Sequence, residues 1–239
     1  MKHTMMFLVM SLALVSLAAT NIVTIYDIQY TSNPGCEGTY PSPYCGLTIR
    51  TSGIVTAIHP ESGIMYMSGL HGGEWNAICV KAGRHIHQNR LRPGVRVDLT
   101  GMVVEQFGMT MLSDVSNIVT NGVQTTLPEV LATTGLVRVN ESYESALVRL
   151  QNVSLINHAG AIWEIDDGSG ACVMEDGFDV LSAQRVNFDE DGIWQEARGI
   201  VSFRFGEFRL NPRTPLDLGG QYGLNVNQTS WGRIKSLYK

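Results

Sequence analysis

Between residues 44 and 212 the chain alternates apolar and polar positions in short runs, broken by Gly, Pro, Asn and Asp. That period of two marks half-buried strands, and few segments carry the helical period of 3.6. Five runs stand out in the first half: "YCGLTIRTSGIVTAI", "GIMYMSG", "NAICVKAG", "RVDLTGMVVE" and "GMTMLSDV". Five follow in the same order in the second: "ESALVRLQNVSLIN", "AIWEID", "ACVMED", "QEARGIVSFRF" and "GEFRLNP". One phrase repeats outright. "GMVVEQFGMTML" at 101–112 returns as "GIVSFRFGEFRL" at 199–210, so that Gly101, Val103, Phe107-Gly108 and Leu112 match Gly199, Val201, Phe205-Gly206 and Leu210.

Details within the runs narrow the architecture. In the opening run of the first half, Leu47 and Ile49 share one parity and Ile54 and Ile58 the other; in the second half, Val148 and Leu150 give way to Val153 and Leu155. A change of parity swaps the buried face, which is the work of a β-bulge or sharp bend. Gly53 and Asn152 sit beside the switch, and both residue types tolerate left-handed backbone angles. In the fourth run, Val97, Leu99, Gly101 and Val103 share a face, as do Ala197, Gly199, Val201 and Phe203; a strand glycine there predicts a tight corner. Gly108 and Gly206 are expected to turn the last hairpins. A long bent first strand followed by four more, written twice, predicts an all-β chain of two tandem five-stranded OB-like barrels. The expected divisions are 22–122 for the first barrel and 127–218 for the second, with a linker and tail over 219–239. A single β-sandwich accounts for the strands but not for the repeat.

The N-terminus changes the expected location. "MKHTMMFLVMSLALVSLAAT" has a basic start, a short apolar run and small residues at Ser16 and Ala18, the pattern of a signal peptide over residues 1–19. No other stretch is long enough to span a bilayer, so the expected product is secreted or held at the cell surface. The formal net charge of −5 argues against a general polyanion binder and leaves room for a local basic patch. Of four cysteines, Cys36 and Cys45 lie in the Gly- and Pro-rich "PGCEGTYPSPYCG" and form a candidate disulfide for an exported chain. Cys79 and Cys172 fall in apolar runs and read as buried, inert thiols.

"TIYDIQYTSNPG", "YPSPYCGLTIRTSGIVTAI" and "WNAICV", with "LPEVLATTGLV", "ESYESALVRLQNVSLIN" and "EIDDGSGACVMEDG", resemble the tandem OB-like modules of exported bacterial proteins. The likeness spans about residues 22–218. It implies modules of the kind that accompany extracellular nucleases or cell-surface proteins, and a nucleic-acid-binding role resting on fold alone. The tail "TSWGRIKSLYK" resembles a C-terminal motif of other exported proteins. Its Trp231, Ile234 and Leu237 also suit a short docked helix, so a sorting signal and a helix both remain open.

Motifs for catalysis are missing: no H-E-x-x-H, P-loop, dinucleotide or nucleophile-elbow pattern occurs. The chain is therefore expected to be no enzyme, with no cofactor and no metal. "DDGSG" at 166–170 reads as a turn and "FDEDG" at 188–192 as an acidic loop. His85 and His87 would share one side of a strand but lack a third ligand. Binding is better supported. "KAGRHIHQNRLRPGVR" carries Lys81, Arg84, Arg90, Arg92 and Arg96 with no acidic residue. Tyr66, Phe107 and Trp75 could add stacking faces beside it, the combination that single-strand binders use. The same arginines also suit a solvated loop and the same aromatics a core. In the second half, alternation puts Phe203 and Phe205 on one face and Arg204 on the other, which favours packing before binding. The expected function is an exported non-catalytic binding protein with single-stranded nucleic acid, or another surface polymer, as candidate ligand. A structural or adhesion module, or an accessory subunit of a separate extracellular enzyme, is the alternative.

Overall fold

The computed structural model describes residues 22–36, 38–160, 162–180 and 193–219. The expected signal peptide, the "FDEDG" loop and residues 220–239 of the expected linker and tail lie outside them. Among the described residues no helix is long and apolar enough to cross a membrane.

The chain is all-β in character, and each expected run forms a strand. In the first half these are β1 (Thr48–His59), β2 (Ile64–Ser68), β3 (Ala77–Lys81), β4 (Val95–Gln106) and β5 (Met109–Val123). They close into a barrel in the order β1-β2-β3-β5-β4, antiparallel except for β3 beside β5. A short helix, α1 (Ile25–Gln29), is capped by the Thr24 hydroxyl and drives Ile25 and Ile28 into the barrel interior. A second, α2 (His85–Gln88), joins β3 to β4 and buries Ile86 there.

The second half repeats the plan. After β6 (Val130–Leu131) and α3 (Thr134–Val139) come β7 (Leu147–Ala159), β8 (Ile162–Asp166), β9 (Cys172–Glu175), β10 (Ile193–Arg204), β11 (Glu207–Asn211) and β12 (Leu218–Gly219). Hydrogen bonds run β7-β8-β9-β11-β10, and β10 pairs back onto β7, again with one parallel pair, β9 beside β11. The circuit matches that of the first half strand for strand. The short strands β6 and β12 extend it at β7 and β10. Gly219, expected in the linker, belongs to β12.

Both first strands serve two neighbours. β1 pairs with β4 over Thr48–Ile54 and with β2 over Ile54–His59, with a register shift between Val55 and Ala57; β7 passes from β10 to β8 and shifts between Leu155 and Asn157. In β7 the parity switch falls where the sequence placed it. Val148, Leu150 and Val153 are all buried in one interior, and Asn152 has φ 53°. In β1 the switch comes later than expected. Ile49 and Val55 keep one parity in the interior, Ala57 turns out of it, and Leu47 is exposed. Gly53 answers a different need: a Cβ there would lie 2.8 Å from the Ser68 carbonyl and 2.9 Å from the Ile25 side chain. It admits the α1 plug rather than setting the bend.

Each ring has its own interior. The first is built from Met65, Ile78, Leu99 and Leu112 among others, the second around Trp163 and Trp194, whose rings lie 6.3 Å apart. Between the rings runs a seam. Its apolar part joins Ala57 to Leu147 and Ile200, and Cys79, Met109 and Met111 to Phe203. Its polar part is specific. The Thr110 N–H donates to Glu144 Oε1 (3.0 Å), the Trp75 N–H to the Ser142 carbonyl (2.6 Å), and the Tyr143 hydroxyl to Glu74 (2.9 Å). Arg213 is held by Asp217 through Nε (2.9 Å) and Nη2 (2.7 Å), and its Nη1 reaches the Thr56 carbonyl of the other ring (2.9 Å). Leading into the second ring, Glu129 and Glu196 bridge Arg149 and Arg198 in a four-membered square, which fixes the chain just before β6.

The two corner glycines differ in how tightly they are held. A Cβ on Gly199 would sit 2.6 Å from the Asn211 carbonyl oxygen, whereas one on Gly101 would sit 3.2 Å from that of Ser113. Gly199→Ala is expected to cost about 2–3 kcal/mol and Gly101→Ala about 1 kcal/mol or less, because only the first forces backbone apart. Urea unfolding of the two variants measures the difference.

Candidate binding groove between two hairpin tips

Two hairpins matched by the repeat meet across the seam. Both turn on a pair of left-handed residues: Phe107 (φ 55°) with Gly108 (φ 80°), and Phe205 (φ 54°) with Gly206 (φ 81°). Two positive φ values form the tight turn whose twist suits a hairpin. Glycine takes them freely; a phenylalanine does so at a cost of about 1–3 kcal/mol. The turn also throws the side chain off the strand's alternation, so Phe107 is 86% exposed and Phe205 80%. The tips touch: a Cβ on Gly108 would lie 2.6 Å from the Phe203 ring.

Between them lies a cavity of about 500 Å³. Met109, Met111 and Phe203 line it together with the two exposed phenylalanines. Lys81, Gln106 and Arg204 complete the lining, and Lys81 Nζ donates to the Gln106 side-chain amide oxygen Oε1. Phe205 carries the guanidinium carbons of Arg204 and Arg209 at 5.3 and 5.0 Å from its ring centroid, a cation–π arrangement. Arg209 is further tied to Glu207 (2.6 Å) and Glu175 (3.3 Å), and Arg204, half exposed, also reaches Glu175 (3.5 Å). The groove thus offers an apolar floor, two exposed aromatic rings, one of them already packed by guanidinium groups, and cations at its rim.

The expected site residues are dispersed. Lys81 and Phe107 reach this groove. Arg90 and Arg92 line a separate cavity of about 240 Å³ against the end of β5, with Asn89 and Thr120. Arg96 lines a third, of about 360 Å³, with Tyr26, His71 and Asn76. Arg84 precedes α2 and is exposed. The basic stretch is therefore no single face, because α2 and the turns around it point its cations in different directions. Tyr66 is partly buried in the seam against Phe178, 6.1 Å between centroids; burial, then Cys79 and Glu144, push its phenol well above the ordinary range. Trp75 lies instead beside Tyr30 and Tyr40. Phe205, Arg204 and Arg209 were missed by the alternation argument, although the repeat had already set Phe205 in the place of Phe107.

Other expectations resolve locally. His85 and His87 lie on α2, where positions two apart diverge around the axis rather than sharing a side. Cys36 and Cys45 are both exposed free thiols, so the expected bridge is not formed here. Cys79 and Cys172 are buried, and burial pushes each thiol up to about 12. "DDGSG" is a turn: Asp166 Oδ1 accepts from the Gly168 and Gly170 N–H groups. Burial works to raise the Asp167 carboxyl, but hydrogen bonds from Ser169 and Thr134 outweigh it and hold the group below its ordinary value.

No protein-family model matches the chain, and no curated protein matches it.

Beneath the first hairpin lies a cluster of acids. Glu105 Oε1 accepts from the Thr110 hydroxyl (2.7 Å) and the Ser42 N–H (2.9 Å), and Glu144 Oε1 accepts from the Thr110 N–H. The second oxygens of Glu105 and Glu144 are buried without a hydrogen-bond partner. Burial first, then the neighbouring Glu141, pushes the Glu144 carboxyl well above 4.5; burial and Glu105 push Glu141 up to about 8. A folded state that holds protons longer than the unfolded chain loses stability as pH rises from the ordinary carboxyl value toward the folded one. Stability is therefore expected to fall between about pH 5 and about pH 8. Glu144→Gln keeps an acceptor for Thr110 and removes the buried charge, so it should flatten that fall and add about 1–3 kcal/mol at the alkaline end. Melting temperature against pH for the two proteins measures this.

Proposed function

We propose that the chain is an exported, non-catalytic binding protein of two OB-like modules, and that single-stranded nucleic acid lies in the groove between their hairpin tips. The carrying observation is the matched pair of exposed phenylalanines, held in strained turns beside Lys81, Arg204 and Arg209. Stacking faces with interleaved cations serve a flexible, negatively charged chain of flat rings: the faces take bases of any identity and the cations take phosphates. The OB-like reading draws support from the shared strand circuit, the bulged first strands and the helix between the third and fourth strands of the first ring. In that fold the loop between the fourth and fifth strands borders the common ligand surface, and both phenylalanines sit on that loop. Export rests on the signal-like N-terminus, and the resemblance to exported bacterial modules agrees with it.

Two cations at the rim, Lys81 and Arg204, set a modest electrostatic share, since Arg209 is buried against Glu207 and Glu175. With about two phosphates neutralised, the logarithm of the binding constant should fall with the logarithm of salt at a slope of about −1.4. Phe107→Ala and Phe205→Ala should each weaken an oligothymidylate about tenfold, whereas Arg90→Ala plus Arg92→Ala should change little beyond the salt term. Fluorescence anisotropy at several salt concentrations reads all of these. No binding at low salt overturns the nucleic-acid reading and leaves the groove to an apolar surface of a partner protein.

A further inference from the structure

Ten described residues other than glycine have positive φ. Six of them are polar: Arg90, Asp114, Asn117, Ser145, Asn152 and Asp179. The other four are aromatic, Tyr40 (φ 43°), Trp75 (φ 59°), Phe107 and Phe205. Bulky side chains pay for that conformation and persist in it only where the surroundings impose it, most often at working sites. Two of the four line the groove. The other two belong to a row that starts where the groove stops.

The row is made of Tyr26, Tyr30, Trp75 and Tyr40. Tyr26 and Tyr30, on and just after α1, stack with centroids 5.2 Å apart and planes 9° apart, and they are 43% and 47% exposed. Trp75 meets Tyr30 edge-on at 5.7 Å, and Tyr40 lies 6.1 Å beyond Trp75. The seam holds Trp75 in place through its N–H bond to the Ser142 carbonyl. At one end, Thr39 abuts the first hairpin tip, its methyl 3.2 Å from where a Gly108 Cβ would be. At the other, Tyr26 borders the cavity that holds Arg96, His71 and Asn76. Two carboxylates lie along the way: Asp27 accepts from the Thr24 hydroxyl and Glu74 from the Tyr143 hydroxyl, neither of which offsets a negative charge. Aromatic faces thus run from Arg96 to the groove's own cations, with positive charge at both ends.

We infer that this row is a second stacking subsite, continuous with the groove, for the same single strand. The inference rests on the nucleic-acid reading of the groove. A strand entering between Phe107 and Phe205 passes the first hairpin tip, lays further bases on Tyr40, Trp75, Tyr30 and Tyr26, and ends with a phosphate at Arg96. Lys81, Trp75, Arg96 and Phe107, which no single loop unites, then belong to one path.

Oligothymidylates of about four and about twelve nucleotides test it, since the shorter fills one subsite and the longer spans both. Anisotropy is measured on the purified chain with each variant. Tyr30→Ala and Tyr26→Ala are expected to weaken the longer strand about tenfold and leave the shorter unchanged; Tyr30→Phe, which keeps the ring, restores it. Phe107→Ala weakens both lengths. The longer strand also quenches the fluorescence of Trp75, and Trp75→Phe removes that quenching. If Tyr30→Ala and Tyr26→Ala leave the longer strand unchanged while Phe107→Ala still weakens it, the row is no subsite and the groove reading stands alone. Equal losses at both lengths mean that Tyr30 shapes the groove and stacks on nothing, which also overturns the inference. Failure of both lengths to bind removes the groove reading and this one together.

Discussion

One buried hydrogen bond ties the two halves of the molecule together where it matters most: the Thr110 backbone N–H on β5 donates to the Glu144 side-chain carboxyl. It lies two residues past the first hairpin turn and fixes that tip against the second ring. Around it the seam adds Trp75 on Ser142, Tyr143 on Glu74 and Arg213 on Thr56, with apolar contact between Met109, Met111 and Phe203. These bonds hold the tips in register, so that Phe107 and Phe205 face one cavity rather than two unrelated stretches of solvent. The acids beneath make the link sensitive to protonation, since a buried carboxyl with an unpaired oxygen is tolerable only while it keeps its proton.

Duplication explains how such a groove arises. Each ring presents the same hairpin with the same Phe-Gly turn, and joining two copies face to face brings equivalent side chains together. The copies have then diverged at the contact. Gly108 is pressed against Phe203, while Gly206 has open space around it. Phe205 carries two guanidinium groups, and the groove beside Phe107 has a lysine instead. The groove is thus asymmetric, with a more basic side on the second ring.

The strands were legible because alternation and turn residues act locally, and every expected run became one. The β7 parity switch was legible at Asn152 for the same reason. Gly53 misled because the sequence shows a permissive residue but not the α1 plug that presses on it. The groove was only half legible. Phe107 was found, but strand alternation assigned Phe205 to packing, because a period of two has no way to represent a left-handed turn that rotates the next side chain outward. The run of cations at 81–96 looked like one patch because sequence distance was standing in for spatial distance; α2 breaks that equivalence and sends Lys81, Arg92 and Arg96 to three different cavities. Tyr66 was lost to the seam, which no local pattern announces.

The account depends on the rings being locked so that the two tips share one cavity. Spin labels at Phe107→Cys and Phe205→Cys, in a Cys36→Ser, Cys45→Ser background, measure this directly by pulsed electron resonance. A single short, narrow distance is predicted. A broad or long distribution would show that the rings move independently, and the groove with its continuation along the aromatic row would no longer describe the molecule.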